Sequence, residues 1–172
     1  IGNRAEALAA ANEVLGAGTQ PFLAELAIFD GYAGAVEVLL ELWFRSKLAK
    51  QEDARQLKTQ AFGALKRLQK MGAQFITCQP TITRLSALSY FANGESKKAK
   101  HLFLGGLDRA TALNMPFVAA MLTFDLGRCD GYSLKKKLNL VQEARMSFLE
   151  LGCHARALET ERHIKVLEEQ LR

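Results

Sequence analysis

The sequence predicts an all-α protein. Leu and Ala dominate its 172 residues, β-branched residues are sparse, and only three prolines interrupt the chain, a composition that favours helices over strands. Apolar residues recur at three- and four-residue steps, most clearly between Ala54 and Leu68, which is the spacing of an amphipathic helix. We therefore expect seven or eight helices that pack as antiparallel pairs.

Three helical segments are predicted in the N-terminal half. The first covers residues 4–15 and stops at a Gly-Ala-Gly sequence, because glycine favours helix ends. The second covers residues 21–48 and is apolar on more than one side, which indicates burial on two sides. Asp30-Gly31 and Gly34 leave two interpretations open: they break this segment into two helices, or they let a neighbouring helix approach closely. The third covers residues 53–71.

Five more segments carry helical patterns in the C-terminal half: residues 81–92, 95–113, 116–127, 133–151 and 154–171. A proline stands at or just before the start of the first and third of these, where its fixed φ suits the first helical turn. Glycine-containing turns follow the same two segments, and such turns separate neighbouring helices.

The helices also show signs of an internal repeat. The unit Gly94–Gly106 recurs in looser form as Ala144–Gly152, and Phe62, Phe103 and Phe148 stand 41 and 45 residues apart in similar second-helix positions. A fixed period of this length is typical of helical repeats, in which stacked helix pairs bury a continuous core. We expect one repeat domain over residues 1–172, with a superhelical, solenoid shape.

These residues resemble the tetratricopeptide family. The best unit covers residues 81–116, and it fills the family's small, aromatic and turn positions with Ala87, Tyr90, Gly94, Ala99, Phe103 and Gly106. The next unit, residues 117–152, matches through Leu126-Gly127, Ala144 and Phe148. The chain departs from the family in lacking a Trp at the start of helix A and in its longer period.

A narrower resemblance runs through Leu113–Phe117, Leu126–Arg128 and Ala144–Gly152. These stretches are similar to the long-period repeats at the C-terminal end of large multidomain signalling ATPases and of nucleotide cyclases of the soluble adenylyl cyclase kind. The resemblance implies a regulatory or scaffolding region beside catalytic domains. Because the chain starts Ile1-Gly2-Asn3-Arg4, without Met or a secretory signal, we expect a fragment of a larger protein.

Motifs for catalysis and metal binding are missing from the sequence. It has no Gly-rich phosphate loop, no Gly-x-Ser-x-Gly elbow and no His-Glu-x-x-His helix, so we expect no enzyme and no cofactor. Glu159 and His163 lie four residues apart, but a salt-bridged solvated face is the simpler interpretation. Cys153-His154 with Glu150 has no second Cys or His pair at ligand spacing, so we expect no metal site.

The cysteine and hydropathy patterns predict the compartment. Three cysteines at long spacings do not form a disulfide framework, which favours a reducing, cytoplasmic location. Acidic residues punctuate the most apolar stretch, residues 21–48, and no run reaches the length of a membrane span. We therefore expect a soluble protein.

The tetratricopeptide resemblance implies a concave groove lined by helix A of each repeat. The groove candidates are Thr81, Arg84, Leu88, Phe124 and Arg128. An arginine pair there would bind a carboxylate or phosphate bidentately. The alternative is that the arginines are only solvated, or that Arg128, beside Gly127, caps a helix C-terminus.

Basic residues produce a net charge of +5 and form two clusters. The clusters consist of Lys97, Lys98 and Lys100, and of Lys135, Lys136 and Lys137. Residues 45–70 add eight Lys and Arg against only Glu52 and Asp53. Such surfaces attract anionic partners, although solvated faces explain lysine runs equally simply. Nucleic acid is disfavoured because aromatic residues do not interleave with the lysines.

The sequence as a whole predicts a non-catalytic module that binds a protein or peptide segment, acidic in character, in a concave groove. Two alternatives stay open. One is an intramolecular regulatory or structural role within a large nucleotide cyclase or signalling ATPase. The other is a helical array that binds nucleic acid, which would require the lysines to share a face.

Overall fold

The computed structural model describes residues 3–17 and 22–172, leaving out the side chains of residues 17 and 22–27. The described residues form eight α-helices and no strand, so the all-α prediction is confirmed. A single turn of 3-10 helix, Ile76–Cys78, precedes the fourth helix. The helices are α1 (Arg4–Ala17), α2 (Phe22–Leu48), α3 (Ala54–Gly72), α4 (Gln79–Asn93), α5 (Ser96–Ala112), α6 (Pro116–Arg128), α7 (Leu134–Glu150) and α8 (His154–Leu171).

The question left open for residues 21–48 is answered by α2, which is one uninterrupted helix of 27 residues. Gly31 and Gly34 lie within it on exposed positions. A Cβ atom added at Gly34 would meet nothing within 4 Å, and one at Gly31 would meet only Val14, at 4.0 Å. These glycines therefore neither break the helix nor permit a close helix contact.

The chain divides into two compact units, Ile1–Gly94 (unit 1) and Glu95–Arg172 (unit 2). The boundary falls inside the predicted repeat 81–116, so its two helices, α4 and α5, belong to different units. The predicted repeat 117–152 lies wholly within unit 2.

Unit 1 is built around α2, which packs against α1, α3 and α4, while α3 also packs against α4. Its fully buried side chains include Val36, Leu39, Leu57, Leu68 and Leu85, and burying each contributes roughly 1.5–3 kcal/mol. The end of α3 comes so close to its neighbours that a Cβ at Gly72 would lie 2.5 Å from Ile82 and 2.9 Å from Phe29. Only glycine fits this position.

Polar contacts fasten the C-terminus of α4 in unit 1. Lys47 Nζ donates to the Ala92 carbonyl at 2.9 Å, and Lys58 Nζ donates to Asn93 Oδ1 at 3.0 Å. Cations are favourable at this end of a helix because its dipole is negative there. Gly94 then ends α4 in the left-handed conformation, with φ of 92°.

Unit 2 consists of four helices in which α6 packs against α5 and α7, and α7 packs against α8. Phe103, Phe124 and Phe148 are among its largest fully buried side chains. Phe103 and Phe148, the two repeat-related phenylalanines of this unit, are both 0% exposed. The predicted equivalence does not extend to Phe62 of unit 1, which is 41% exposed on α3.

A second buried glycine, Gly127, sets the contact between α6 and α7. A Cβ at this position would lie 2.6 Å from Val141 Cγ2 and 3.2 Å from the Lys137 carbonyl oxygen. Both distances are shorter than van der Waals contact, so the α6–α7 packing requires a residue without a side chain.

Candidate functional site

The five predicted groove residues are divided between the two units. Thr81, Arg84 and Leu88 lie on α4 of unit 1, and Phe124 and Arg128 lie on α6 of unit 2. Leu88 and Phe124 are only 4% and 2% exposed, so both are core residues. Thr81 is half-buried.

Arg84 is engaged inside unit 1. Its guanidinium donates to both carboxylate oxygens of Glu37 on α2, at 3.0 and 2.9 Å, and only 5% of the residue is exposed. The two residues are 47 positions apart, and nothing in a single sequence indicates that they meet. The bidentate geometry predicted for a ligand carboxylate is thus used to join α4 to α2.

Arg128 also has a partner within its own unit. Its guanidinium nitrogen lies 3.3 Å from Asp125 Oδ1, and its guanidinium carbon lies 5.7 Å from the centre of the Phe124 ring. Ligand binding by Arg84 and Arg128 stays a prediction, and each guanidinium would have to share or leave its intramolecular carboxylate to bind a ligand.

The two lysine clusters, by contrast, come together within unit 2. Asp130, in the α6–α7 loop, accepts a hydrogen bond from Ser96 Oγ at the start of α5, 2.8 Å away. Its other carboxylate oxygen lies 3.8 Å from Lys137 Nζ near the start of α7. In the same loop, the Tyr132 ring lies beneath Lys100 Nζ, at 3.5 Å from the ring centroid. The N-termini of α5 and α7 therefore share one end of unit 2.

We call this region the lysine end. It consists of Lys97, Lys98, Lys100, Lys135, Lys136 and Lys137. Carboxylates also contact it: Glu95 lies 2.5 Å from Lys98 Nζ, and Asp130 contacts Lys137. The region therefore carries more positive than negative charge.

Three of these lysines are exposed and unpaired. Lys97, Lys135 and Lys136 make no ion pair in the part of the chain that the structure describes. Their positions are electrostatically unfavourable, because the first turns of α5 and α7 contain no acidic residue and the helix dipole is itself positive there. A local arrangement that opposes stability is expected at functional sites.

The backbone adds to the positive potential of the lysine end. Ser133 Oγ caps α7 by accepting from the Lys136 amide at 3.3 Å, whereas Glu95 makes no side-chain cap on α5. Amide groups at helix N-termini bind anions. Lysine charges and helix amides together can bind carboxylates or phosphates.

Sequence reasoning named all six lysines but missed Asp130 and Tyr132, which bring the two clusters together. The bond from Ser96 to Asp130 spans 34 residues. A loop residue that links two helices by such a contact has no periodic signal in the sequence.

A surface groove of about 490 Å³ runs along the contact between α7 and α8 and is lined by residues of both helices. Met146 and Ile164 supply its apolar lining. Its charged lining residues are of both signs, namely Arg145, Lys165, Glu161 and Glu168. Because these charges balance, the groove shows no preference for an acidic or a basic partner.

The catalytic candidates Glu159 and His163 lie together on α8, where His163 Nδ1 is 3.4 Å from the Glu159 carbonyl oxygen, and both side chains have further contacts. Glu159 Oε2 accepts from Arg156 at 2.8 Å, and the His163 ring packs edge-on against Phe124, 5.0 Å between centroids. Burial, together with Asp125 and Asp130, raises the pKa of the Cys129 thiol to about 12, so this thiol is not a thiolate at neutral pH.

The residues that the structure describes contain no group of three or more His, Cys, Asp or Glu side chains arranged to hold a metal ion. None of their helices combines the length and the apolar character that crossing a bilayer demands.

Comparison of the chain with known protein families, curated proteins and solved structures finds no significant match. The resemblance to tetratricopeptide repeats therefore stays a prediction from the sequence.

Proposed function

We propose that this chain is a non-catalytic binding module and that unit 2 recognises an acidic protein segment through the lysine end. The observation that carries the proposal is the convergence of two lysine clusters around Asp130, which contacts Ser96 on one side and Lys137 on the other. Residues separated in the sequence thereby form one cationic surface.

The energetics favour a segment with several carboxylates. A single exposed ion pair contributes only about 0–1 kcal/mol, so affinity must come from many charges acting together. Clustered charges also raise association rates and make binding sensitive to salt. An extended or helical acidic segment satisfies both conditions, because its carboxylates can follow the lysines from α5 to α7.

The aromatic content of the lysine end favours protein over nucleic acid. Proteins that bind single strands stack bases on exposed aromatic rings. The one aromatic ring in the α6–α7 loop, Tyr132, has Lys100 Nζ 3.5 Å from its centroid. A nucleic acid would therefore gain phosphate contacts and little stacking.

The packing of unit 2 is compatible with a repeat-type module. Its helices pack in chain order, α5 with α6, α6 with α7, and α7 with α8. Such an arrangement supports the resemblance to the tetratricopeptide family, and the members of that family are interaction modules. The lysine end would then lie on the helix termini of the module.

The test is fluorescence anisotropy of a labelled, Glu-rich unstructured peptide with the full chain. The variant is Lys135→Glu/Lys136→Glu, and the control, Arg162→Glu/Lys165→Glu on α8, changes the net charge equally. We expect at least about tenfold weaker binding for the variant and a change within about twofold for the control.

Loss of folding does not explain that result, because glutamates in the first turn of α7 interact favourably with the helix dipole. Equal weakening by both variants would mean that only the overall charge matters, and the proposed site would be wrong. Tighter binding of a single-stranded oligonucleotide than of the peptide would favour the nucleic-acid alternative.

A further inference from the structure

Helix α3 of unit 1 has an unusual charge composition. It contains Arg55, Lys58, Lys66, Arg67 and Lys70 and no acidic residue. Within the described residues, Arg55, Lys66 and Lys70 make no ion pair. The nearest acidic residue in the sequence, Asp53, accepts hydrogen bonds from Ser46 and Arg4 instead.

Five of the exposed residues of α3 lie along one face of the helix. We call this set the α3 row: it consists of Arg55, Thr59, Phe62, Lys66 and Lys70. Steps of three and four residues place them on one face, and all are exposed. From Arg55 to Lys70 the row is about 22 Å long, at 1.5 Å per residue.

Phe62 occupies the middle of the row and is held in place. It is 41% exposed, and its ring meets the Trp43 ring in a T-shaped contact at 5.5 Å. Lys58 Nζ lies 5.3 Å from the Trp43 ring and 5.8 Å from the Phe62 ring, and it also donates to Asn93. A fixed aromatic side chain loses little entropy on binding, which suits an anchor.

The surface beside Phe62 is open. A Cβ atom at Gly63 would meet nothing within 4 Å, so a partner side chain can approach the helix next to the ring. One exposed phenylalanine alone is ordinary. A fixed phenylalanine with open space beside it and unpaired cations on both sides is the arrangement of an interface centre with a charged rim.

The charges and the single ring indicate the class of partner. A single-stranded nucleic acid needs successive stacking platforms, whereas the row has one ring, with the Lys58 ammonium near it. An anionic membrane would need several apolar side chains to insert. A partner helix with acidic residues one turn apart and one apolar residue between them would pair its carboxylates with the cations of the row and place its apolar side chain against Phe62.

We propose that the α3 row is a docking surface for an acidic amphipathic helix of a partner protein, with one apolar side chain seated on Phe62. The site belongs to unit 1 and the lysine end belongs to unit 2, and no residue is part of both. Either site can therefore fail in experiment without the other.

The test uses the full chain and a helical peptide with a central leucine. On one side of the leucine, this peptide has one glutamate one helical turn away and another two turns away. On the other side it has a single glutamate, two turns away. A second peptide has serine in place of leucine. Binding is followed by the emission of Trp43, the only tryptophan of the chain, which contacts Phe62.

We expect the leucine peptide to bind about tenfold more tightly than the serine peptide, and Phe62→Ala to abolish this preference. Lys66→Glu/Lys70→Glu, which changes exposed side chains only, should weaken the leucine peptide about tenfold or more. Arg162→Glu/Lys165→Glu on α8, outside both proposed sites, serves as the charge-matched control and should change the affinity for the leucine peptide by less than about twofold.

Three results would overturn the proposal. Equal affinity of native protein for both peptides would show that Phe62 is no anchor. Equal weakening by the α8 control would show attraction by net charge alone. Tighter binding of a single-stranded oligonucleotide, of vesicles containing anionic lipid or of a second copy of the chain would assign the surface to that partner.

Discussion

Units 1 and 2 use charge differently. In unit 1, ion pairs join helices that are far apart in the sequence: Arg84 binds Glu37 at 2.9 Å, and Arg4 binds Asp53. In unit 2, lysines gather at the N-termini of α5 and α7, where the helix dipole repels them. The paired charges of Arg84 and Arg4 hold elements of unit 1 together, whereas those of the lysine end reduce stability and remain accessible to a partner.

The difference shows which charges can serve as evidence of function. Arg84 looked like a ligand-binding residue in the sequence, yet its guanidinium is buried with a carboxylate. The lysines had an equally simple interpretation as a solvated surface, yet the fold concentrates them. Burial and pairing, rather than residue type, separate structural charges from candidate binding charges.

The largest expected effect comes from breaking the buried ion pair of unit 1. Arg84→Met leaves the Glu37 carboxylate, whose side chain is 15% exposed, without its arginine, and we expect a loss of about 3–5 kcal/mol in the free energy of unfolding. Urea denaturation followed by Trp43 fluorescence measures this loss.

The double variant Arg84→Met/Glu37→Leu is the control for that prediction. It replaces both charges by apolar side chains and should recover most of the stability. A loss below about 1 kcal/mol for Arg84→Met would mean that the pair behaves like an exposed one, and that unit 1 is not held together by this contact.

The second prediction concerns the glycine contact of unit 2. Gly127→Ala places a Cβ 2.6 Å from Val141 Cγ2, and we expect a loss of about 1–3 kcal/mol from overpacking. Gly105→Ala on α5 is the matched control, because a Cβ at this position meets nothing within 4 Å. This variant should raise the free energy of unfolding by about 0.5–1 kcal/mol. Thermal denaturation by circular dichroism compares them, and stabilisation by both would contradict the close packing of α6 and α7.

The smallest predicted effect is the pH dependence contributed by Asp53 of unit 1. The hydrogen bond from Ser46 is the main cause that lowers the pKa of Asp53 from its ordinary 3.8, with Arg4 adding to it and desolvation opposing it. Because the folded-state pKa is the lower one, the stabilisation is present above pH 3.8 and is lost as the pH falls through the folded pKa.

Melting temperatures of native protein and Asp53→Asn, measured across that acid range, test this dependence. The native advantage should shrink as the pH falls. An advantage that stays constant down to the lowest pH would show that the carboxylate charge is not what stabilises this contact.

Local signals account for the part of the fold that the sequence predicted. Periodic apolar residues, glycine stops and prolines placed the described helices to within a few residues. The same signals could not decide whether Gly31 and Gly34 interrupt α2, because a helical glycine in open space looks the same in the sequence as one at a break. The spacing gives Phe62 a repeat position equivalent to Phe103 and Phe148, and only packing shows that its side chain is exposed.

The candidate site was predictable only in its composition. The lysine runs are visible in the sequence, but their convergence depends on Asp130, whose contacts with Ser96 and Lys137 are tertiary. Likewise, nothing local pairs Arg84 with Glu37. Contacts between residues distant in sequence decide which charged residues are available to a partner.

The most direct test of the lysine end is an NMR titration of the full chain, ¹⁵N-labelled, with the Glu-rich peptide. We predict that the largest amide shifts fall together in residues 95–100 and 130–137, that is, in the starts of α5 and α7 and in the loop that joins α6 to α7. Shifts concentrated around Arg84 and Arg128 instead, or no shifts at all, would contradict the proposal that the lysine end binds acidic segments.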